Sequence, residues 1–289
     1  MGLDYLLFFQ LTLIAGASAA FVRYSSAVLL IPILILVWNL TPFDALTAGL
    51  ITEIFFQGYR LYPKITKGTV DFKLGLKLLL FCIPAAILGA VAAGLLSHNI
   101  WIILFGAGLV VSAFSYLNLP SQKEIEKHND MIFNRYGATL FETQITKNDG
   151  YYYRYTPKNL NKTKFFYALR AFFTGMFSLG LGKYGKHILL RISNVPSEVS
   201  GATSVFVRLI TAFITASTCL LVMLNTYTIN PDIWIIVLYT IPGAIAGRYF
   251  SLKNDSYNYL LFTNRMVPAL FVILAIFLQG KLLTSLLAQ

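Results

Sequence analysis

Charge is what this chain has least of. Only 12% of its 289 residues are Asp, Glu, Lys or Arg, against about 25% in soluble domains, which excludes a soluble globular fold. Cysteine is nearly absent too. The two present, Cys82 and Cys219, lie inside apolar segments and read as small core hydrophobes, so neither a disulfide framework nor a CxxC metal site is available. A GxSxG elbow, an HExxH pair and a Walker lysine motif are all missing, and acids are scarce outside residues 118–163. No catalytic residue, metal or cofactor is therefore assigned, and the chain is not read as an enzyme. The opening "MGLDYLLFFQLTLIAGASAA" lacks the basic start of a secretory signal and is read as a retained first membrane segment.

Apolar sequence is what the chain has in excess, at 57% of residues. Long apolar stretches recur throughout, which predicts a polytopic membrane protein. Helices are expected near 3–21, 27–38, 43–60, 74–96, 99–117, 165–181, 184–193, 199–224, 232–250 and 258–280. A spanning helix needs about 20 residues, so 27–38 and 184–193 are too short to span alone, and each adjoins a Gly- or Ser-rich break. Between 118 and 163 the composition turns polar. There "TLFETQITKNDGYYYRYT" alternates on both sides of Asn148-Asp149-Gly150, which predicts a β-hairpin. The chain divides into a membrane repeat over 1–117, a small soluble insertion over 118–163 and a second membrane repeat over 164–289.

The net charge of +11 would suggest nucleic acid in a soluble protein. Here the cations gather between apolar spans, as the positive-inside rule produces, and nucleic acid is not expected as a partner. The loops at 60–77, 118–164 and 248–265 are rich in Lys and Arg, whereas 38–43, 97–99 and 225–231 carry none. The first set is predicted to be cytoplasmic and the second external. Residues 165–193 must then enter and leave from the cytoplasm as a broken helical hairpin, and 3–38 does the same from outside. Each half holds one hairpin and three spanning helices, and the halves are inverted. A conventional eight-span arrangement with parallel halves would put Arg248 and Lys253 outside. The expected fold class is an all-α multi-pass protein of the plasma membrane, embedded in the lipid bilayer with the insertion in the cytoplasm. Homo-oligomerisation stays open.

The halves also correspond in sequence. "TPFDALTAG" (41–49) lies over "VPSEVSGAT" (195–203), and "IPAAILG" (83–89) over "IPGAIAG" (241–247), with "AGASAAF" (15–21) against "TGMFSLG" (174–180). Two homologous halves with interrupted short helices mark a secondary transporter whose site lies at the midplane, where the breaks meet. A Gly-rich break, an apolar run, a proline, Ala202-Thr203-Ser204 and a later P-x-x-x-x-G follow in the second half, with "KGTVDF" (67–72) after the first basic loop. This pattern resembles the sulfite exporter TauE/SafE-like (TSUP) transporters over about 240 residues, everything outside the insertion. The resemblance implies transport of a small anion, sulfite and sulfonates among the candidates. Two glycine runs depart from the family, "VRYSS" (22–26) and "GKYGK" (182–186), which leaves a transport-deficient scaffold or sensor acting through 118–163 as the alternative.

Candidate site residues follow from the breaks and from one helix. Half-helix N-termini favour anions, and Gly182 and Gly185 permit close backbone approach. Arg23 and Lys183 fall at the two breaks, at equivalent depths. On 199–224, Ser204, Arg208, Thr211, Thr215 and Thr218 share one face over about 21 Å, with Thr203 adjoining. An arginine in mid-membrane costs about 2.5–3.5 kcal/mol and should face a partner or a cavity. Glu53 lies one position from the residue aligned with Arg208, with Gln57 one turn on. The pair is expected either as an ion pair between the halves or as substrate site and proton carrier.

Overall fold

A computed structural model describes residues 2–21, 25–117, 125–126, 129–130, 143–148, 150, 152–179, 184–226, 232–253 and 257–287. Among these, ten helices and one hairpin follow in chain order. They are α1 (Gly2–Phe21), α2 (Ala27–Val37), α3 (Pro42–Thr66), α4 (Phe72–Leu95), α5 (His98–Leu117), β1 (Thr143–Thr146), β2 (Tyr152–Tyr155), α6 (Leu160–Phe177), α7 (Tyr184–Arg191), α8 (Ser197–Thr226), α9 (Asp232–Lys253) and α10 (Tyr257–Leu287). The fold is an all-α membrane protein. By length and composition α4, α8, α9 and α10 can each cross a bilayer, over Phe72–Leu95, Ser197–Asn225, Ile233–Phe250 and Met266–Thr284. Leu80, Leu88, Leu238 and Ile276 project outward from this assembly, each more than 60% exposed, as a surface facing lipid requires.

Local chemistry places the helix ends. Pro42 opens α3 behind Thr41, whose hydroxyl accepts from Asp44 N at 3.2 Å, a proline-plus-cap start. Asp71 caps α4 by accepting from Leu74 N at 2.8 Å. Both short helices end near an asparagine in left-handed backbone, Asn39 (φ 53°) and Asn194 (φ 52°), and each leads into a proline-led long helix. One expectation needs correcting: the basic stretch 60–77 is mostly helix, and only 67–71 is loop. Helix α3 runs through Pro63 to Thr66, with Arg60 donating back to Gln57 Oε1 at 3.0 Å and Leu61 buried.

Packing directions follow from side-chain contacts. Thr47 bonds Met223 Sδ while Glu53 meets Arg208, so α3 and α8 run antiparallel. Helix α4 lies parallel to α8, with Gly75 against Phe206 and Gly94 against Val222. Helix α3 also packs on α9, where the Thr52 and Thr240 hydroxyls lie 2.7 Å apart. The two most extensive crossings are α1 with α9 and α4 with α6. Both close on glycine: a Cβ at Gly247 would overlap the Gly16 carbonyl, and one at Gly89 would overlap the Phe172 carbonyl. Bare Cα atoms let backbones touch where lipid supplies no hydrophobic drive. Cys82 and Cys219 are both free and buried.

The β1–β2 hairpin pairs Thr143 with Tyr155 and Thr146 with Tyr152. It is bonded on two sides. Tyr155, wholly buried, donates to Asp71 Oδ2 at 2.6 Å, and Asn148 N donates to Lys67 O at 3.4 Å. Across from these, Lys147 meets Glu198 at 2.7 Å and the Tyr153 hydroxyl donates to the same carboxylate.

Candidate functional site

Glu53 sits on α3 with its carboxylate buried against the start of α2. Its Oε2 accepts from Ser26 N at 2.7 Å, Ser26 Oγ at 2.9 Å, Ser25 Oγ at 3.1 Å and Ala27 N at 3.3 Å. Its Oε1 accepts from Gln57 Nε2 at 2.6 Å and meets Arg208 Nε at 3.0 Å. The break before α2 thus aims backbone N–H groups and two hydroxyls at an anion, and the anion there belongs to the protein. Gln57 in turn accepts from Arg60, so one hydrogen-bonded row runs along α3 from Arg60 to Glu53.

A second buried cluster lies at the start of α7. The Arg170 guanidinium, from α6, and the Ser204 hydroxyl, from α8, both press against Gly185, whose missing Cβ is the space they use. Arg170 NH1 donates to Ser204 Oγ at 3.4 Å. Tyr167 supports this corner from α6: its hydroxyl donates to Gly185 O at 2.8 Å, and its ring lies 5.5 Å from the Arg170 guanidinium. Arg208 follows Ser204 by one turn of α8 and so stands between the two clusters.

Among the expected site residues, Arg208, Ser204, Gly185, Glu53 and Gln57 are all buried and come together here. Thr203 is buried but turned away: it accepts from Asp71 N at 3.0 Å, near the start of α4. Arg23, Gly182 and Lys183 lie outside the described residues. The threonines of the α8 stripe bond back to their own helix, Thr211 to Val207 O, Thr215 to Thr211 O and Thr218 to Ile214 O, as membrane threonines commonly do. Sequence reasoning passed over Arg170. The signal was available, since "YALRAFFTGMF" puts an arginine inside an expected span, where an ionisable residue is a functional candidate by default.

Three arginines (Arg60, Arg170, Arg208) are buried on α3, α6 and α8, with the buried carboxylates of Glu53 on α3 and Asp71 at the start of α4. The family described as "Sulfite exporter TauE/SafE" matches residues 8–281. A relative, the "Probable membrane transporter protein YunE" of Bacillus subtilis (strain 168), is 23% identical over 252 residues, covering 85% of this chain and 86% of that protein. No solved structure matches.

Proposed function

This chain belongs to the sulfite exporter TauE/SafE family, and on that premise we propose that it is a secondary transporter carrying a small anion across the membrane by alternating access. The observation that carries this reading is the burial of Arg60, Arg170 and Arg208 on α3, α6 and α8, helices whose one buried carboxylate among their described residues is Glu53. An arginine in a membrane interior is expensive and marks a functional site by default, and a passing anion is a ligand that its charge suits. Sulfite and short sulfonates carry the matching charge. Arg208 is the central binding residue in this reading, and Glu53 is its resting partner, released when substrate arrives.

The same proposal includes two inverted repeats, α1–α5 and α6–α10. Support comes from the packing: α1 on α9 has its counterpart in α6 on α4, and α3 on α9 in α8 on α4. The equivalent pair α3 and α8 runs antiparallel, the direction that a two-fold axis in the membrane plane requires. The short α2 and α7 are then the inner arms of two broken hairpins. Alternating access follows from exchanging the conformations of the two repeats around the central arginine.

The test is anion-evoked charge movement in proteoliposomes, with sulfite, methanesulfonate, sulfate, thiosulfate and acetate, against empty liposomes. The expected result is a current for one or more oxyanions that is lost in Arg208→Gln. Silence across the panel from folded wild-type protein would overturn the reading.

A further inference from the structure

The starts of α2 and α7 meet different side chains. At the start of α2 the carboxylate of Glu53 occupies the cradle, drawing on two backbone N–H groups, two hydroxyls and Arg208. The alignment of 41–49 with 195–203 puts Val207 where the first half has Glu53. Val207 is apolar and 2% exposed, packed in a cluster that includes Leu189 and Leu190 of α7. The second break therefore has no carboxylate of its own at that position. What it has instead is a guanidinium and a hydroxyl, Arg170 and Ser204, pressed against Gly185 in the first turn of α7.

We infer that Arg170 and Ser204, with Arg208 one turn along α8, form the substrate oxyanion's seat. The substrate takes at α7 the place that the Glu53 carboxylate takes at α2. This rests on the transport reading and assigns to Arg170 a role that neither the family match nor the relative supplies. Glu53 shows in the same molecule how an oxyanion is held at such a break: oxygen atoms toward the helix N-terminus, one edge toward arginine. Two guanidiniums brought in from different helices suit a compact anion with several oxygens, because each can give a paired N–H contact. Tyr167 is a positioning residue, fixing Gly185 through its carbonyl and backing the Arg170 plane. Gly185 keeps the seat open, since any side chain there would overlap both groups.

The experiment measures the concentration dependence of sulfite and methanesulfonate currents in proteoliposomes holding the full chain. Wild type is compared with Arg170→Gln, Arg170→Lys, Ser204→Ala and Val207→Glu, each checked for folding by monodispersity. Arg170→Gln is expected to raise the half-saturating concentration at least about tenfold, the effect of losing a charged hydrogen bond. Arg170→Lys should recover part of that loss. Val207→Glu should abolish the current, because a carboxylate at the position equivalent to Glu53 competes with the substrate for Arg170. A wild type silent to both probes and to the rest of the panel removes the transport reading and this inference together. A normal wild-type current with unchanged half-saturation in Arg170→Gln and Val207→Glu overturns this inference alone.

Discussion

Arg208 Nε lies 3.0 Å from Glu53 Oε1, with both side chains at most 3% exposed, and this contact joins α3 to α8 where they cross antiparallel. Removing one member of a buried pair leaves an uncompensated charge, which typically costs about 3–5 kcal/mol. Replacing both by apolar residues is far milder. Arg208→Met alone should therefore lower the melting temperature in detergent sharply, and Arg208→Met with Glu53→Leu should regain much of it. The regain will be incomplete, because the Ser26 and Ala27 amides lose their acceptor. Equal destabilisation by single and double variants would show that the pair is not coupled.

Most helices of this fold were legible in the sequence, because membrane spans announce themselves by length and apolarity. Their ends were less so. Helix α3 outran its expected boundary at 60, because its last turns carry Pro63 and Lys64, residues that end an apolar run without ending the helix. The site was half legible. Arg208 and Glu53 stood out as charges in apolar helices and do meet. Arg170 carried the same signal and was passed over, while Ser25 and Ser26 looked like filler in a broken segment until the Glu53 carboxylate was found on them. Thr203 was adjacent to Ser204 in sequence yet serves the α4 start, since neighbours on a helix point about 100° apart.

Backbone contact at Gly247 makes a sharp steric prediction. A Cβ there would overlap the Gly16 carbonyl, an atom that a helix cannot move cheaply. At Gly58 nothing lies within 4 Å. Gly247→Ala should abolish most monodisperse protein in size-exclusion chromatography, whereas Gly58→Ala should match wild type, helped by the better helix propensity of alanine. Comparable yields for the two would refute the close α1–α9 crossing.

The α8 threonines give a negative prediction. The Thr215 hydroxyl donates to Thr211 O in its own helix, so it has no donor left for a substrate. Thr215→Val should leave half-saturation of the transport current within about twofold of wild type, a difference of under 0.5 kcal/mol. A tenfold change would mean that the polar stripe of α8, rather than Arg208 and its neighbours, contacts the anion.

The β1–β2 hairpin bonds the loop before α4 and the start of α8 through different residues, and those bonds should respond differently to mutation and pH. Tyr155 is wholly buried and donates to Asp71. Tyr155→Phe leaves that carboxylate short of a donor, at a cost of about 1–3 kcal/mol. Lys147 and Glu198 have side chains 16% and 41% exposed, so Lys147→Gln should cost under about 1 kcal/mol. Hydrogen bonding to Glu198 raises the Lys147 pKa above its ordinary 10.5. A raised lysine stabilises fully below the unfolded value and loses its contribution only as pH climbs through the folded one. Hydrogen exchange at β1 and β2 should therefore be insensitive to docking changes from about pH 6 to 9 once intrinsic exchange is corrected, and should loosen only above about 10.5. Tyr155→Phe should loosen both strands throughout that range. If instead protection falls near pH 6 to 7, a histidine-range group controls docking and the Lys147–Glu198 contact does not. Coupling of the hairpin to transport is then read in the same proteoliposomes: a hairpin that tethers both sides of the site must change the current when Tyr155→Phe frees one of them, and an unchanged current would make it a passive attachment.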